Sequence, residues 1–206
     1  MRREYEGENL IINSYLTDYY PNLNEETRRK IIARIDDLID ENRDYLDEEN
    51  YIHIANIFAS IAFYEELTKE KNKEEAFQIV SSTIWNKAEE ISIKYKRLAK
   101  FPGSLKILAK SITKEITKNT GKGWIYDFPN KIDNNNSYKF ECKSCLYAKM
   151  FDKYNLKELG PVFCRIDIIN YSNLKGIEFV RNHTLCVDGE PCDFLFIKDN
   201  KKSNQD

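Results

Sequence analysis

Residues 51–69 read YIHIANIFASIAFYEELTK, and this stretch decides how the chain folds. Isoleucine, phenylalanine and alanine would occupy every side of the helix that this composition favours. A surface helix keeps one polar face, so a helix that is apolar almost all round is predicted to lie buried at the centre of a domain. Other helices must therefore pack around it.

Three further helices are predicted in the first 120 residues. Asn24 is suited to cap a helix that precedes the central one, because its side chain can accept from a free backbone N–H of the first turn. Asn72 is placed to cap another, which keeps an apolar residue every three or four positions as far as Leu98. A fourth is expected to be capped by Ser104 and to end before Gly121.

After Gly121 the pattern changes to short, aromatic segments separated by turn residues. The predicted elements are, in order, strands at 124–128 and 137–142 around a turn at 133–136, short helices at 145–154 and 161–171, and a second hairpin with strands at 177–187 and 192–198 around Asp188 and Gly189.

The chain is therefore predicted to have an α+β fold, with an N-terminal helical layer of about four helices on a small C-terminal antiparallel sheet with two short helices. Neither the helical part (1–120) nor the sheet part (121–198) looks self-sufficient, since a small sheet needs a layer of helices to cover one face. We expect one domain over residues 1–198 and a polar tail at 199–206.

Composition narrows the class of protein. Hydrophobic residues make up 41% and aromatic residues 13% of the chain, which is too apolar for a disordered protein. No apolar run approaches the ~20 residues of a membrane span, and the first residues do not resemble a signal peptide, so a cytoplasmic location is expected. Residues 94–149 are basic but fit a solvated helix face, and no nucleic-acid partner is expected.

The positions of the cysteines carry more information than their number. All five lie between positions 142 and 192: Cys142, Cys145, Cys164, Cys186 and Cys192. An odd count in a reducing compartment argues against a disulfide framework and favours buried, reactive or metal-binding thiols. Their spacings match no common zinc site, so no cofactor or metal is expected, with zinc or an iron–sulfur cluster as the alternative.

Four short motifs surround these cysteines. They are CLY at 145–147, LGPVFCRID at 159–167, FVR at 179–181 followed by Thr184 and Leu185, and GEPCDF at 189–194. In order and spacing, over roughly residues 120–198, the set resembles the L-2-amino-thiazoline-4-carboxylic acid hydrolase family. The resemblance implies hydrolytic opening of a cyclic amidine-like ring to give N-carbamoyl-L-cysteine, and hence a small-molecule substrate that bears a carboxylate.

Thiols and carboxylates suit that reaction, because a thiolate can attack the ring carbon and a carboxylate can move protons. Cys164 is the first candidate nucleophile, and Asp167 lies one helical turn away on the same side. Cys192 and Asp193 offer a second thiol and carboxylate, of which only one can face a given pocket from a strand. Cys145 is the third thiol within the motifs.

Three residues are candidates for binding the substrate. Arg181 is suited to hold its carboxylate through two parallel hydrogen bonds, and Thr184 can donate another. His183 is the histidine placed near the thiols, whereas His53 is expected to be a core imidazole in the apolar helix. A purely structural role also stays open for Asp167, which can pair with the neighbouring Arg165.

Two other functions remain open at this point. One is a non-catalytic domain that senses a small molecule or a metal. The other is an enzyme of specialised metabolism that uses the same pocket on a different or carrier-bound substrate. A homo-oligomer is also left open.

Overall fold

The computed structural model describes residues 5–133 and 136–199. The predicted α+β fold class is confirmed. Residues 134–135 of the first predicted turn and residues 200–206 of the predicted tail lie outside the described residues. The elements are α1 (Gly7–Ile12), α2 (Glu25–Glu41), α3 (Tyr51–Glu70), α4 (Lys73–Leu98), α5 (Ser104–Asn119), β1 (Ile125–Asp133), β2 (Ser137–Ser144), α6 (Leu146–Lys153), α7 (Gly160–Tyr171), β3 (Ile177–Val180) and β4 (Cys192–Lys198).

The all-apolar helix α3 lies at the centre of the helical layer, as predicted. Fourteen of its 20 residues are buried, and α1, α2, α4 and α6 contact it. Helix α1 was not predicted, because six residues are too few to show a helical period. Its first residue donates a backbone N–H to Asp36 of α2 over 2.8 Å. No helix among the described residues is long and apolar enough to cross a bilayer.

Two of the three predicted helix caps are confirmed. Asn24 accepts from the backbone N–H of Thr27 over 2.8 Å, and Asn72 accepts from that of Glu75 over 2.9 Å. The predicted cap at Ser104 is wrong, because this residue is already the first of α5. Gly103 precedes it with a φ of 73°, a conformation that favours glycine, and it makes the turn without a side-chain cap.

The four strands form one antiparallel sheet in the order β1-β2-β4-β3. Phe140 of β2 lies opposite Phe194 of β4, and Cys142 lies opposite Cys192. These side chains point to the same face, which joins α5 in a second apolar core separate from the core around α3. The pairing brings two thiols side by side on the inner face.

The second predicted hairpin is only partly correct. Its first strand ends at Val180, so the predicted continuation of this strand to residue 187 is wrong. The carboxylate of Asp193 accepts from the backbone N–H groups of Asn182 (2.9 Å) and His183 (2.7 Å). Because a side chain takes these N–H groups, residues 181–191 form a loop in place of a strand and a tight Asp-Gly turn.

Candidate active site

A cavity of about 240 Å³ lies where the two cores meet. Trp124 and Cys145 contact both cores and form part of its wall. All five cysteines line it. They come from five different places in the fold, namely β2, the residue before α6, helix α7, the 181–191 loop and β4. The fold thus gathers the thiols that the sequence spreads over its last third.

Helix α7 presents three polar groups to the cavity from successive turns. Cys164, Asp167 and Asn170 are spaced by three residues and therefore lie on one side of the helix. Gly160 at the helix start allows the loop to approach, since a Cβ there would stand 2.9 Å from Cβ of Cys186. The conformation of this segment thus brings a loop thiol against the helix that carries Cys164.

The thiols of Cys145, Cys164 and Cys186 line the cavity together. Interactions with the other two thiols raise the pKa of Cys186. The interaction with Cys186 lowers the pKa of Cys164, although burial and the charge of Asp167 act in the opposite direction; Thr184 and the charge of Arg181 also lower it. Cys164 is therefore the thiol of this group whose environment favours the nucleophilic thiolate.

Cys142 and Cys192 form a second group across the β2–β4 pair. Interaction between the two thiols raises the pKa of Cys142 and lowers that of Cys192, and the Cys142 thiol donates to the backbone carbonyl of Ser144 over 3.2 Å. The backbone N–H of Leu185 also donates to the sulfur of Cys192 over 3.4 Å, which further favours the thiolate there. The cavity thus holds a second thiol poised to ionise, on the sheet wall.

Among the described residues, Asp167 has one charged partner. Arg181 donates to its Oδ2 over 2.6 Å and to the backbone carbonyl of Cys164 over 2.8 Å. Burial raises the pKa of Asp167 to about 6, against the opposing effect of Arg181. A carboxyl group with this pKa is present in both protonation states near neutral pH, as acid–base catalysis requires. The neighbouring Arg165 does not pair with it and lies over the Trp85 ring instead.

The opposite wall carries an imidazole and aromatic hydroxyls. Nδ1 of His53 lies 3.1 Å from the Tyr147 hydroxyl, and its ring contacts Trp124. Burial lowers the pKa of His53 to about 4, so it is neutral at physiological pH. The expected core imidazole therefore packs among aromatic rings and at the same time lines the cavity. Tyr126 also lines the cavity, and its hydroxyl acts to lower the pKa of Cys142.

Four of the eight candidate site residues line this cavity. They are Cys145, Cys164, Asp167 and Cys192. The sequence-based argument for Cys164 and Asp167 depends on their helical spacing, and α7 supplies the helix. Their catalytic roles stay predictions, since geometry alone does not test them.

The other four candidates lie outside the cavity wall. The Arg181 side chain is only 6% exposed and pairs with Asp167, and Thr184 is buried. His183 is half-exposed and pairs with Asp188 at 3.0 Å. Asp193 holds the 181–191 loop, as described above. None of these four is among the residues that line the cavity, and their roles stay predictions.

Sequence reasoning missed two polar groups of the cavity wall. Asn170 is 8% exposed, and its Oδ1 has no hydrogen-bond partner among the described residues. Nε1 of Trp124 is likewise without a partner there. Asn170 continues the spacing of three that links Cys164 to Asp167, so extending that stripe by one turn would have found it. No signal in the sequence marks Trp124.

The described residues contain no group of three or more histidine, cysteine or acidic side chains arranged to hold a metal ion. The zinc or iron–sulfur alternative therefore gains no support from this geometry.

The sequence model of the L-2-amino-thiazoline-4-carboxylic acid hydrolase family matches residues 50–196. The chain belongs to this family. The family match begins at α3 and therefore reaches well beyond the segment 120–198 that carries the resemblance in the motifs. It includes all the cysteines, α7 and His53. Neither the curated proteins nor the solved structures give a significant match.

Proposed function

We propose that this protein is a small hydrolase that opens a cyclic amidine-like ring, with L-2-amino-thiazoline-4-carboxylate giving N-carbamoyl-L-cysteine as the model reaction. The observation that carries the proposal is the pair Cys164 and Asp167 on one side of α7, inside a cavity lined by five thiols. At about 240 Å³, the cavity lies below the ~300–1,000 Å³ of sites for drug-sized ligands, which suits a small metabolite.

The first half of the reaction uses a thiolate. The carbon that bears the amino group is bonded to the ring sulfur and to two nitrogens, and it is electrophilic. The Cys164 thiolate attacks this carbon, and the bond from the carbon to the ring sulfur breaks. The ring sulfur leaves as a thiol and takes a proton from Asp167, whose pKa of about 6 leaves part of it protonated near neutral pH.

The second half uses one water molecule. Water attacks the same carbon, which is now held on Cys164, and Asp167 accepts a proton from it. The Cys164 thiolate leaves, the second proton of the water passes to a nitrogen on that carbon, and the carbon keeps the water oxygen as the carbonyl of a urea. The net reaction adds one water molecule to the ring and opens it. The Cys164 thiolate and the Asp167 carboxyl group both return to their starting states.

Arg181 acts in this scheme through Asp167. Its two hydrogen bonds fix the carboxylate against the Cys164 turn of α7, so it is a positioning residue. We place the activity in the cytoplasm, because five free thiols are best preserved in a reducing compartment.

The test is a ring-opening assay that follows N-carbamoyl-L-cysteine by liquid chromatography and mass spectrometry. Asp167→Asn keeps the size of the side chain and removes its acid–base function, and we expect its rate to fall by about a hundredfold or more. Cys164→Ala is expected to be at least as impaired. His183→Asn, outside the cavity wall, serves as the control and should retain the wild-type rate. Full activity in both cavity variants would remove these residues from the mechanism.

A further inference from the structure

The inner face of the sheet ends in two thiols that the proposed mechanism does not use. Along β2 and β4 this face consists of opposed aromatic pairs, of which Phe140 and Phe194 are one. The last pair in the same register is Cys142 and Cys192, and both of these residues line the cavity. Aliphatic side chains would pack there equally well, so the chemistry of the thiol group is what distinguishes this pair.

The positions of the two cysteines meet the geometric requirement of a disulfide. Cys142 and Cys192 are direct partners across the antiparallel β2–β4 pair, and the Cα atoms of such partners lie about 4.5–5.5 Å apart. A disulfide requires a Cα–Cα distance of about 4.4–6.8 Å. Both side chains are buried on the inner face of the sheet. The bond can therefore close without a change in the register of the strands.

The two sulfur atoms have opposite hydrogen-bonding roles. The Cys142 thiol donates to the backbone carbonyl of Ser144 over 3.2 Å, whereas the sulfur of Cys192 accepts from the backbone N–H of Leu185 over 3.4 Å. Accepting a hydrogen bond favours the thiolate, and donating one requires the protonated thiol. These contacts agree with the lowered pKa of Cys192 and the raised pKa of Cys142. The pair thus combines an attacking sulfur with a protonated neighbour.

The cavity gives a small oxidant access to this pair. Its volume of about 240 Å³ is several times the ~30 Å³ that one water molecule occupies in the liquid, so a hydrogen peroxide molecule fits. Cys192 is 7% exposed and Cys142 is 2% exposed. The more exposed cysteine of the pair is therefore also the one whose environment favours the reactive thiolate.

We propose that Cys142 and Cys192 form a redox-reactive dithiol, which hydrogen peroxide converts to a reversible disulfide between β2 and β4. In the first step the Cys192 thiolate attacks one peroxide oxygen and the O–O bond breaks. Cys192 becomes a sulfenic acid, and the hydroxide that leaves takes up a proton from the solvent. In the second step the Cys142 sulfur attacks the Cys192 sulfur, the S–O bond breaks, and the leaving oxygen departs as water with the Cys142 proton. The two sulfurs lose two electrons, and the peroxide gains them.

This inference goes beyond the proposed function and does not rest on it. The ring-opening scheme uses Cys164 and Asp167, and it uses neither thiol of the pair. A reversible disulfide also agrees with a reducing compartment, where disulfides are usually transient and catalytic or redox-sensing. Exchange with a small thiol such as glutathione reduces the bond and returns both cysteines to their starting state.

Disulfide mapping of the reduced wild-type protein tests the inference without any variant. The protein is treated with about one equivalent of hydrogen peroxide, the remaining thiols are blocked with N-ethylmaleimide, and unreduced peptides are analysed by mass spectrometry. Cleavage after Lys143 by trypsin and before Asp188 by endoproteinase Asp-N places each of the two cysteines on a peptide with no other cysteine. We expect the main disulfide to join Cys142 to Cys192, and we expect dithiothreitol to remove it.

Serine variants test the order of the two steps. Cys142→Ser keeps the attacking thiol and removes the one that closes the bond, so the sulfenic acid should persist on Cys192. Dimedone, which labels sulfenic acids, should then label Cys192 at least about tenfold more than in the wild type. Cys192→Ser should leave Cys142 unlabelled. Cys145→Ser removes another thiol of the cavity wall and is the matched control, which should form the disulfide as the wild type does.

Three results would overturn the inference. They are recovery of both cysteines as N-ethylmaleimide adducts after peroxide treatment, a main disulfide that joins other cysteines, and equal dimedone labelling of Cys192 in the wild type and in Cys142→Ser. Turnover is measured separately on untreated protein. Ring opening without the disulfide would refute only this inference, and the disulfide without ring opening would refute only the proposed function.

Discussion

Replacing Arg181 by methionine tests whether this side chain holds Asp167 in place. The substitution keeps an unbranched apolar chain and removes both hydrogen bonds, at 2.6 Å to Asp167 and 2.8 Å to the Cys164 carbonyl. The guanidinium is almost fully buried, whereas the Asp167 side chain is 32% exposed. The loss is therefore expected near the lower end of the about 3–5 kcal/mol that removing one partner of a buried ion pair typically costs. We expect the Arg181→Met variant to lose that much free energy of unfolding at about pH 8.5, where Asp167 is charged.

The loss should depend on pH, and its sign follows from Asp167. Its native pKa of about 6 lies above the unfolded value of about 3.9, so the wild type loses stability from this group as pH rises towards 6 and no further above it. Without Arg181 the native pKa rises beyond 6, and the loss continues. The difference between variant and wild type therefore grows above pH 6, by at most about 1.4 kcal/mol per pH unit.

Urea unfolding followed by tryptophan fluorescence at about pH 5.5 and about pH 8.5 measures this difference. The same Arg181→Met change in an Asp167→Asn background is the control, because the titrating carboxyl is absent there and the pH-dependent part should vanish. An equal loss at both pH values, or an unchanged pH dependence in the Asp167→Asn background, would refute the assignment of Arg181 as the residue that holds Asp167.

Three further predictions follow from the packing and the thiols. Gly160→Ala places a Cβ 2.9 Å from that of Cys186, and should lower the free energy of unfolding by about 1–3 kcal/mol. A variant as stable as the wild type would show that the 181–191 loop moves away from the new methyl group without cost. Iodoacetamide should modify Cys192 before Cys142, because only the former has a lowered pKa; peptide mass spectrometry that finds the reverse order contradicts this. Asn72→Ala removes a helix cap and should lower the free energy of unfolding in urea by about 0.5–2 kcal/mol. An unchanged free energy of unfolding would show that the cap does not stabilise the protein.

The helical layer could be predicted because its signals are local. The composition of residues 51–69 specifies a buried helix whatever surrounds it, and Asn24 and Asn72 each bond to an N–H three residues away. The loop at 181–191 could not be predicted, because its alternating side chains suit a strand. What ends the strand is the Asp193 carboxylate, which reaches back across about ten residues to take two backbone N–H groups.

The candidate site, like the fold, was predictable only where its signal is local in the sequence. Helical spacing alone places Cys164 and Asp167 on one side of a helix, and the structure puts both in the cavity wall. The ion-pair partner of Asp167 was not predictable, because the neighbouring Arg165 is the nearer cation in the sequence, whereas the loop delivers Arg181 from 14 residues away. His53 was set aside because it lies in an apolar helix, and only the packing of α3 against the sheet half shows that its ring lines the cavity.

The most direct test of the central claim compares the five cysteines with one another. Each is replaced singly by alanine, and the rate of thiazoline ring opening is measured for every folded variant under identical conditions. The account predicts that Cys164→Ala falls furthest, by about a hundredfold or more, while Cys142→Ala, at a thiol of raised pKa, keeps most of the activity. Cys186→Ala removes the interaction that lowers the pKa of Cys164, so its rate is expected to fall by a smaller factor. A Cys164→Ala variant that turns over at the wild-type rate, with the loss at another cysteine, would contradict the account.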